Sequence, residues 1–455
     1  MSGIKNRTIF TGDNLEILRG FPNEFVDLIY LDPPFNSKHN YAAPIGSKAA
    51  GAAFKDTWTL QDVDVSWWGE IAETNTALYK ALEAAKHTAG KSAMSYLIYM
   101  AIRILEMHRI LKSTGSLYLH CDQTMSHYLK MVLDAIFDRD HFRNEIVWKR
   151  NNAHNDGKKY GRITDSILFY SKSNKYIWNT VYVPYSEEFI LKSFRHQDEK
   201  GKYSDQQLTA QSLQGGGYEY EFHGHHRVWK RSLESMQQLE KDGKIHFPKK
   251  GLGIPRYKLY LKDALGIPLQ NVWTDITMAL GNERLGYPTQ KPLALLERII
   301  QASTRKDDMI LDPFCGCATA CSAAERLNRK WIGIDISPKA VELMNARMVS
   351  EAGIEKWTKG AGVVIQRTDI PIRKGNRSKN IKHQLFGVQE GRCNLCRHEI
   401  EFRHMEVDHK IPKARGGPDD DGNLQLLCGH CNRVKGKGTM AEAKVRLTKL
   451  GIVAH

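Results

Sequence analysis

The 455-residue sequence predicts an α/β protein built on a doubly wound, Rossmann-like sheet, with a small metal-stapled module at its C-terminal end. Three observations carry this expectation. Strand-like and helix-like runs alternate after Pro288, the rhythm of a parallel sheet. Two strand-like runs end in Asp-Pro, at Asp32 and Asp312, and a third ends in Asp335. Two Cys-x-x-Cys pairs, Cys393/Cys396 and Cys428/Cys431, lie close together near the end of the chain.

The elements follow in order. Val26–Leu31 is a short apolar run stopped by Pro33 and Pro34, which cannot continue a sheet ladder. Between Ser92 and Lys112 the apolar positions Leu97, Ala101, Ile104, Leu105 and Leu111 share one helical face with His108. Gly115 is expected to end that helix, and Ser116–His120 to form the next strand. Glu145–Lys149 is a further strand candidate. Residues 151–285 lack long periodic runs and are rich in Gly, Lys, Tyr, Trp and His. Order returns with a helix to about Ala302, opened by Pro292. Then come a strand at Met309–Asp312, a helix at about Ala320–Leu327, a strand at Trp331–Asp335 and a helix from Pro338. Residues 371–384 hold five Lys/Arg and no acid, the composition of a solvated linker. A Cys-rich unit over about Phe386–Gly438 and a short basic helix, Thr439–Leu450, complete the chain.

Bulk properties narrow the partners. The length calls for two or three domains. Hydrophobic residues at 41% supply real cores, and the net charge of +15 makes an acidic polymer a natural partner. Residues 371–455 carry 17 Lys/Arg against 9 Asp/Glu and form the denser basic segment. The opening MSGIKNRTIF has no signal-peptide pattern, and no apolar run is long enough to span a membrane. A cytoplasmic protein without membrane contact is therefore expected, with its eight cysteines as thiols or metal ligands.

Two regions carry chemistry. Asp312-Pro-Phe314-Cys-Gly316-Cys-Ala318-Thr319 is a strand end followed by a turn of small residues, which lets a nucleoside approach the backbone closely. Asp335 ends the next strand, where related nucleotide-binding folds place a carboxylate on the ribose. Asp32-Pro33-Pro34-Phe35 ends an earlier strand. With Gly12-Asp13 and Tyr287-Pro-Thr-Gln-Lys291-Pro292, these segments resemble the N6-adenine/N4-cytosine DNA methyltransferases in their permuted, β-class order, over about residues 8–350.

The resemblance implies an AdoMet-dependent enzyme acting on an exocyclic amine of double-stranded DNA. Such an amine is a poor nucleophile because its lone pair is delocalised into the ring. Asp32 and the Pro33 carbonyl would accept its two N–H bonds, the second proline, Pro34, would keep that carbonyl rigid, and Phe35 would face the flipped base. Asp13, Asp312, Phe314, Gly316, Thr319 and Asp335 would hold AdoMet. The chain would divide into a catalytic half (1–150), a target recognition region (151–285), an AdoMet-binding half (286–370) and the linker (371–384). The family usually has Gly where this chain has Ala318. The Asp-Pro-Pro-Phe form is more like the adenine-methylating members, which favours adenine N6 over cytosine N4. Relatives with this motif order are commonly homodimers, which leaves a homodimer open here. In the recognition region, Gly215–Gly217, Tyr218, Tyr220, Arg227 and Trp229 suit base and phosphate contacts. The neighbouring His223, His225 and His226 lack a paired metal-ligand set.

At the C-terminal end, two Cys-x-x-Cys pairs separated by 31 residues are a strong signal for a structural, tetrahedral zinc ion (Zn2+). Between and after them lie Val407-Asp408-His409, Asn423 and Asn432. Residues 386–438 resemble the HNH nucleases, whose zinc-bound ββα-metal unit the module (385–455) is expected to share. By that resemblance His409 would activate water, Asp408 and Asn432 would hold magnesium or manganese (Mg2+ or Mn2+), and Asn423 would orient the His409 region. Two alternatives stay open: a zinc module that binds DNA without cutting it, and a non-catalytic DNA-binding regulator descended from a methyltransferase. Methylation and cleavage on one chain suggest restriction–modification or phage DNA handling.

Overall fold

The computed structural model describes residues 4–37, 39–43, 47, 49–50, 53–56, 58–59, 63–152, 158–211, 216–248, 253–352, 364–369 and 380–451. Among these, nine strands form one sheet. From edge to edge it runs Val272–Trp273, Phe142–Lys149, Thr164–Ser171, Leu111–Cys121, Val26–Leu31, Met309–Asp312, Lys330–Asp335, Thr8–Thr11 and Ile365–Arg367. Neighbours are parallel throughout, except that Thr164–Ser171 runs antiparallel to both of its flanks. This is the doubly wound α/β fold that the strand–helix rhythm anticipates.

The strand order reverses between Val26–Leu31 and Met309–Asp312, which pair directly although about 280 residues separate them. A crevice opens beyond the carboxyl ends of strands at such a switch point. All six residues of Val26–Leu31 are buried. Asp27 is tolerated there because its carboxylate accepts from Lys112 Nζ and from the Met309 N–H, each at 2.8 Å. Helices at Asn14–Gly20, Thr76–Ile110 and Ser126–Phe137 pack together and bury the main core, which includes Leu97, Ala101 and Ile104. Thr76–Ile110 is broken at Gly90, where φ is 85°.

Three expectations need correction. The helix ends at Ile110, and the following strand begins at Leu111 rather than at Ser116. Leu111 is fully buried opposite Val26, and the irregular register there absorbs residues 112–115. The region 151–285 is not one body. Thr164–Ser171 and Val272–Trp273 belong to the main sheet, and Thr180–Gln270 alone form a second compact unit. That unit holds a four-stranded antiparallel sheet, the hairpin Tyr218–Phe222/His225–Trp229, and a core of Leu208, Phe222, Trp229, Met236 and Ile245. Of the linker 371–384, residues 371–379 lie outside the described residues, whereas Ile381–Val388 is a helix.

This last helix packs on Ser66–Thr74 through two glycines. A Cβ on Gly69 would lie 2.6 Å from His383 Cα, and one on Gly387 would lie 1.9 Å from the Val65 carbonyl oxygen. Phe386 is fully buried at the crossing, edge-on to Trp68 and Phe402. Beyond it, Met405–His409 and Leu424–Cys428 pair antiparallel and lead into the helix Gly429–Lys435, a ββα unit. Met440–Lys449, opened by a Thr439/Glu442 capping box, packs on that helix. No helix among the described residues is long and apolar enough to cross a membrane.

Candidate active sites

The carboxyl ends of four adjacent parallel strands deliver Asp13, Asp32, Asp312 and Asp335 to one cleft of about 500 Å³. Pro33, Pro34, Phe35, Phe314, Gly316 and Thr319 line it as well. Apart from Ala318, the residues singled out in the two Asp-Pro regions therefore reach one cavity, from opposite ends of the sequence.

Asp32 sits at the wall between the halves. Its Oδ2 is 2.5 Å from Lys291 Nζ, whereas its Oδ1 is buried and has no hydrogen-bond partner among the described residues. Lys291 is itself buried, and its ammonium lies 5.4 Å from the centre of the Phe35 ring. Gln290 anchors the Lys291 loop by accepting from the Leu285 N–H and donating to the Glu283 carbonyl. The turn after Phe35 is pinned by Asp56, which accepts from the N–H groups of Asn36 and Ser37 at 2.6 and 2.9 Å. Phe35 stacks on His120, with ring planes 18° apart. His120 in turn joins the Tyr30 hydroxyl and Asp165, each at 3.1 Å, in a buried polar chain. Burial opposes ionisation of Asp165, but the His120 bond and the Lys291 and Arg150 charges hold its carboxyl below the ordinary value.

The other wall is set by backbone donors. Asp335 accepts from the Gly316 N–H and the Ser337 N–H, both at 2.8 Å. Burial nevertheless raises its pKa, and it raises that of Asp312 strongly, with Asp32 and Asp335 adding repulsion against the one Phe314 N–H bond. Gly316 has φ 50°, and a Cβ there would lie 2.9 Å from the Tyr287 ring, so the turn demands glycine. Ala318 also takes the left-handed conformation, at φ 57°, which accounts for the glycine usual there in the resembling family. It is fully buried, and the cleft wall passes from Cys317 to Thr319 without it. Its methyl group stands behind the wall rather than in the cavity.

Asp13 caps the helix Asn14–Gly20 and pairs with Arg103 at 2.8 Å. Arg103 is almost fully buried, lies 3.4 Å over the Tyr99 ring, and donates to Asn14 at 2.6 Å. Asn14 donates onward to the Pro313 carbonyl. This chain ties the Asp13 loop to the Asp312 turn. Arg103, Asn14 and Tyr30 are among the members of the cleft's support that sequence reasoning misses.

In the C-terminal module the sulfurs of Cys393, Cys396, Cys428 and Cys431 lie within 4.8 Å of one another, a set that fits one tetrahedral metal ion. His409 Nε2 is 2.9 Å from Asp419. Asn423 accepts from the Ile411 N–H and donates to the Ile411 and Pro418 carbonyls, bracing the loop that follows His409. Asp408 and Asn432 have separate partners. Asp408 accepts from Gln425 and pairs with the buried Lys435 at 3.0 Å, while Asn432 donates to Glu406.

The second unit departs from expectation. Trp229 is fully buried in its core, because strand alternation turns it inward, and is not a surface contact. His223 pairs with Glu240 and His226 approaches Glu219, so the 223–226 histidines do not gather around one point. Gly215 lies outside the described residues.

Comparison with known proteins agrees with this architecture. Residues 26–346 match the DNA methylase family model, and residues 393–438 match that of the HNH endonucleases. The chain is 34% identical to the type II methyltransferase M.EcaI of Enterobacter cloacae over 56% of its own length and 57% of the relative's. It is 30% identical to the StyLTI Mod subunit, a type III restriction-modification enzyme of Salmonella typhimurium, over 83% of its own length and 60% of the relative's. It is 25% identical to the DNA adenine methyltransferase YhdJ of Escherichia coli over 75% of its own length and 82% of the relative's. The chain thus spans somewhat over half the length of the first two relatives. With the family match covering well over half of the sequence, on a sheet whose two halves meet at the Asp32 and Asp312 strand ends, the chain belongs to the DNA methylase family and carries an HNH-type module at its C-terminal end.

Proposed function

We propose that this protein transfers a methyl group from AdoMet to the exocyclic amine of adenine N6 in double-stranded DNA, and that its C-terminal module cuts DNA at a second, metal-dependent site. The observation that carries the first part is the buried, unpartnered Oδ1 of Asp32, a residue that lines a cleft of about 500 Å³. A desolvated acceptor with no partner, on a residue that lines a cavity, fits a ligand that brings its own N–H.

AdoMet, when bound, supplies an electrophilic methyl group. The chain's own residues do the rest. Asp335 and the Gly316 turn take the nucleoside end. Asp32 Oδ1 and the Pro33 carbonyl accept the two N–H bonds of the amine, drawing its nitrogen toward sp³ geometry and freeing the lone pair. Phe35 carries the extruded base on a face backed by His120. Lys291 fixes the Asp32 carboxylate through Oδ2, so that Oδ1 is the oxygen presented to the amine. The same Oδ1 is placed to receive the proton that the nitrogen sheds after transfer. The Asp32 form of the motif and the similarity to an adenine methyltransferase both favour adenine over cytosine.

In the C-terminal module the four cysteines would hold a structural zinc ion, and His409, oriented by Asp419, would be the base that activates water. A second reading, a zinc module that grips DNA without cutting it, is favoured by the separate partners of Asp408 and Asn432. The similarity to restriction-modification methyltransferases supports a role in restriction–modification for the pair of activities.

The test is nucleoside mass spectrometry after incubating unmodified DNA of varied sequence with AdoMet and EDTA. N6-methyladenine is the expected product. N4-methylcytosine would overturn the base assignment, and no methylated base would overturn the activity. A parallel incubation with Mg2+ or Mn2+ in place of EDTA should nick or cut the DNA. Intact DNA there would overturn the cutting activity.

A further inference from the structure

In the four-stranded sheet of Thr180–Gln270, register brings three potential ligands onto one face. His196 pairs opposite Tyr203, Asp205 lies two residues further along the same strand, and Gln207 faces Arg256, which is flanked in turn by His246. Residues opposite one another, and residues two apart, share a face of an antiparallel sheet. His196, Asp205 and His246 thus converge from three different strands, and one donor atom of each lies within 4.8 Å of the other two.

We propose that His196, Asp205 and His246 form a binding site for a divalent transition-metal ion, zinc being the best fit. Bonds of about 2.0–2.1 Å at tetrahedral angles separate neighbouring donors by about 3.3 Å. His196 Nε2 and Asp205 Oδ1 already stand 3.4 Å apart. The remaining atoms are held the way an outer shell holds metal ligands. Arg256 Nε lies 2.6 Å from Asp205 Oδ2, which leaves Oδ1 turned to the histidines. The Tyr203 hydroxyl lies 3.0 Å from His246 Nδ1, and the tautomer that donates to it leaves a lone pair on Nε2. His196 Nε2 is buried without a hydrogen-bond partner among the described residues. Arg195, at 3.9 Å from Asp205, is largely exposed and free to swing away when a cation enters. Two imidazoles and one carboxylate select zinc, iron, cobalt or nickel over magnesium and calcium. The ion would staple three strands of a unit whose own apolar core is small.

This site is separate from the cysteine cluster, and the experiment must count both. Full-length protein in an Asp408→Asn background is stripped with chelator, reloaded with zinc and freed of excess metal. Its zinc is then counted per chain. The expected result is one zinc ion fewer in the His196→Ala/His246→Ala variant. An unchanged count in a folded variant would overturn the proposal. Cobalt(II) offered to the same parent protein, its cysteine cluster already filled with zinc, covers the case of a misfolded variant. A visible d–d band without thiolate charge transfer is expected, with about tenfold weaker binding in Tyr203→Phe. Absence of that band would overturn the proposal without reference to any variant.

Discussion

The methylase cleft and the C-terminal module solve the same problem, holding charged groups in fixed positions, over very different stretches of chain. The cleft takes Asp13 and Asp32 from the first strands and Lys291, Asp312 and Asp335 from strands and loops about 260–320 residues later. Only the assembled sheet brings them together. The C-terminal module draws its four cysteines, His409 and Asn423 from residues 393–431 and closes them around a single ββα unit. One site is positioned by topology, the other by local turns and a cluster of four cysteines. Damage to one should therefore leave the other standing.

That contrast is broken most directly by a pair of substitutions with the largest expected effects. Asp32→Asn should slow methyl transfer by about 10²–10³-fold, the loss typical of one positioned polar group in a dry site. AdoMet affinity measured by calorimetry should stay within about threefold, and cutting should be unaffected. His409→Ala should slow metal-dependent cutting by about 10²–10⁴-fold with methylation unchanged. If either variant lost both activities while folded, the two sites would not be independent.

A smaller effect is expected at Lys291, which acts through Asp32. Lys291→Met should lower kcat by about 10–100-fold with little change in AdoMet affinity, and Lys291→Arg should recover part of it. Loss of AdoMet binding instead would make Lys291 a cofactor contact. Smaller again is a pH effect on the methylase core. Burial, with the Lys172 and His141 charges adding to it, holds the His108 imidazole down at about 4. Its pKa rises to the ordinary 6.5 on unfolding, so its contribution to stability is intact above about pH 6.5 and is lost as the pH falls toward 4. Chemical denaturation at pH 7 and pH 4 should differ by on the order of 2–3 kcal/mol more in the wild type than in His108→Leu. The smallest effect belongs to Ala318→Gly. It relieves a left-handed alanine but loosens the unfolded chain, for a net change within about 1 kcal/mol. AdoMet affinity should stay within about twofold. A large gain would show that the methyl group does crowd the cleft.

The same contrast explains what the sequence discloses. Asp32, Asp312 and Asp335 are legible because each ends an apolar strand and precedes a proline or a tight turn, so chemistry and local structure coincide. The cysteine pairs are legible from spacing alone. Lys291 is visible only as part of a short segment. Its bond to Asp32 spans 259 residues, and no local pattern announces it. Arg103 is hidden for a similar reason, because a cation on a helical face reads as solvated until packing buries it against Asp13 and Tyr99. The strand Thr164–Ser171 is masked by the Gly- and Lys-rich stretch before it, although six of its eight residues are buried. His196, Asp205 and His246 become neighbours only through strand register.

The paired glycines where Ser66–Thr74 meets Ile381–Val388 bear on how DNA is handled. With Gly69 and Gly387 admitting backbone against backbone, and Phe386 sealed beneath, the nuclease-type module is bolted to the methylase frame rather than trailing from a tether. If both centres engage one duplex, the span between methylated base and broken phosphodiester is then a built-in ruler. Its length in base pairs would be read directly from mapped cleavage products, and a bulky residue at either glycine would blur the ruler before it dulled either blade.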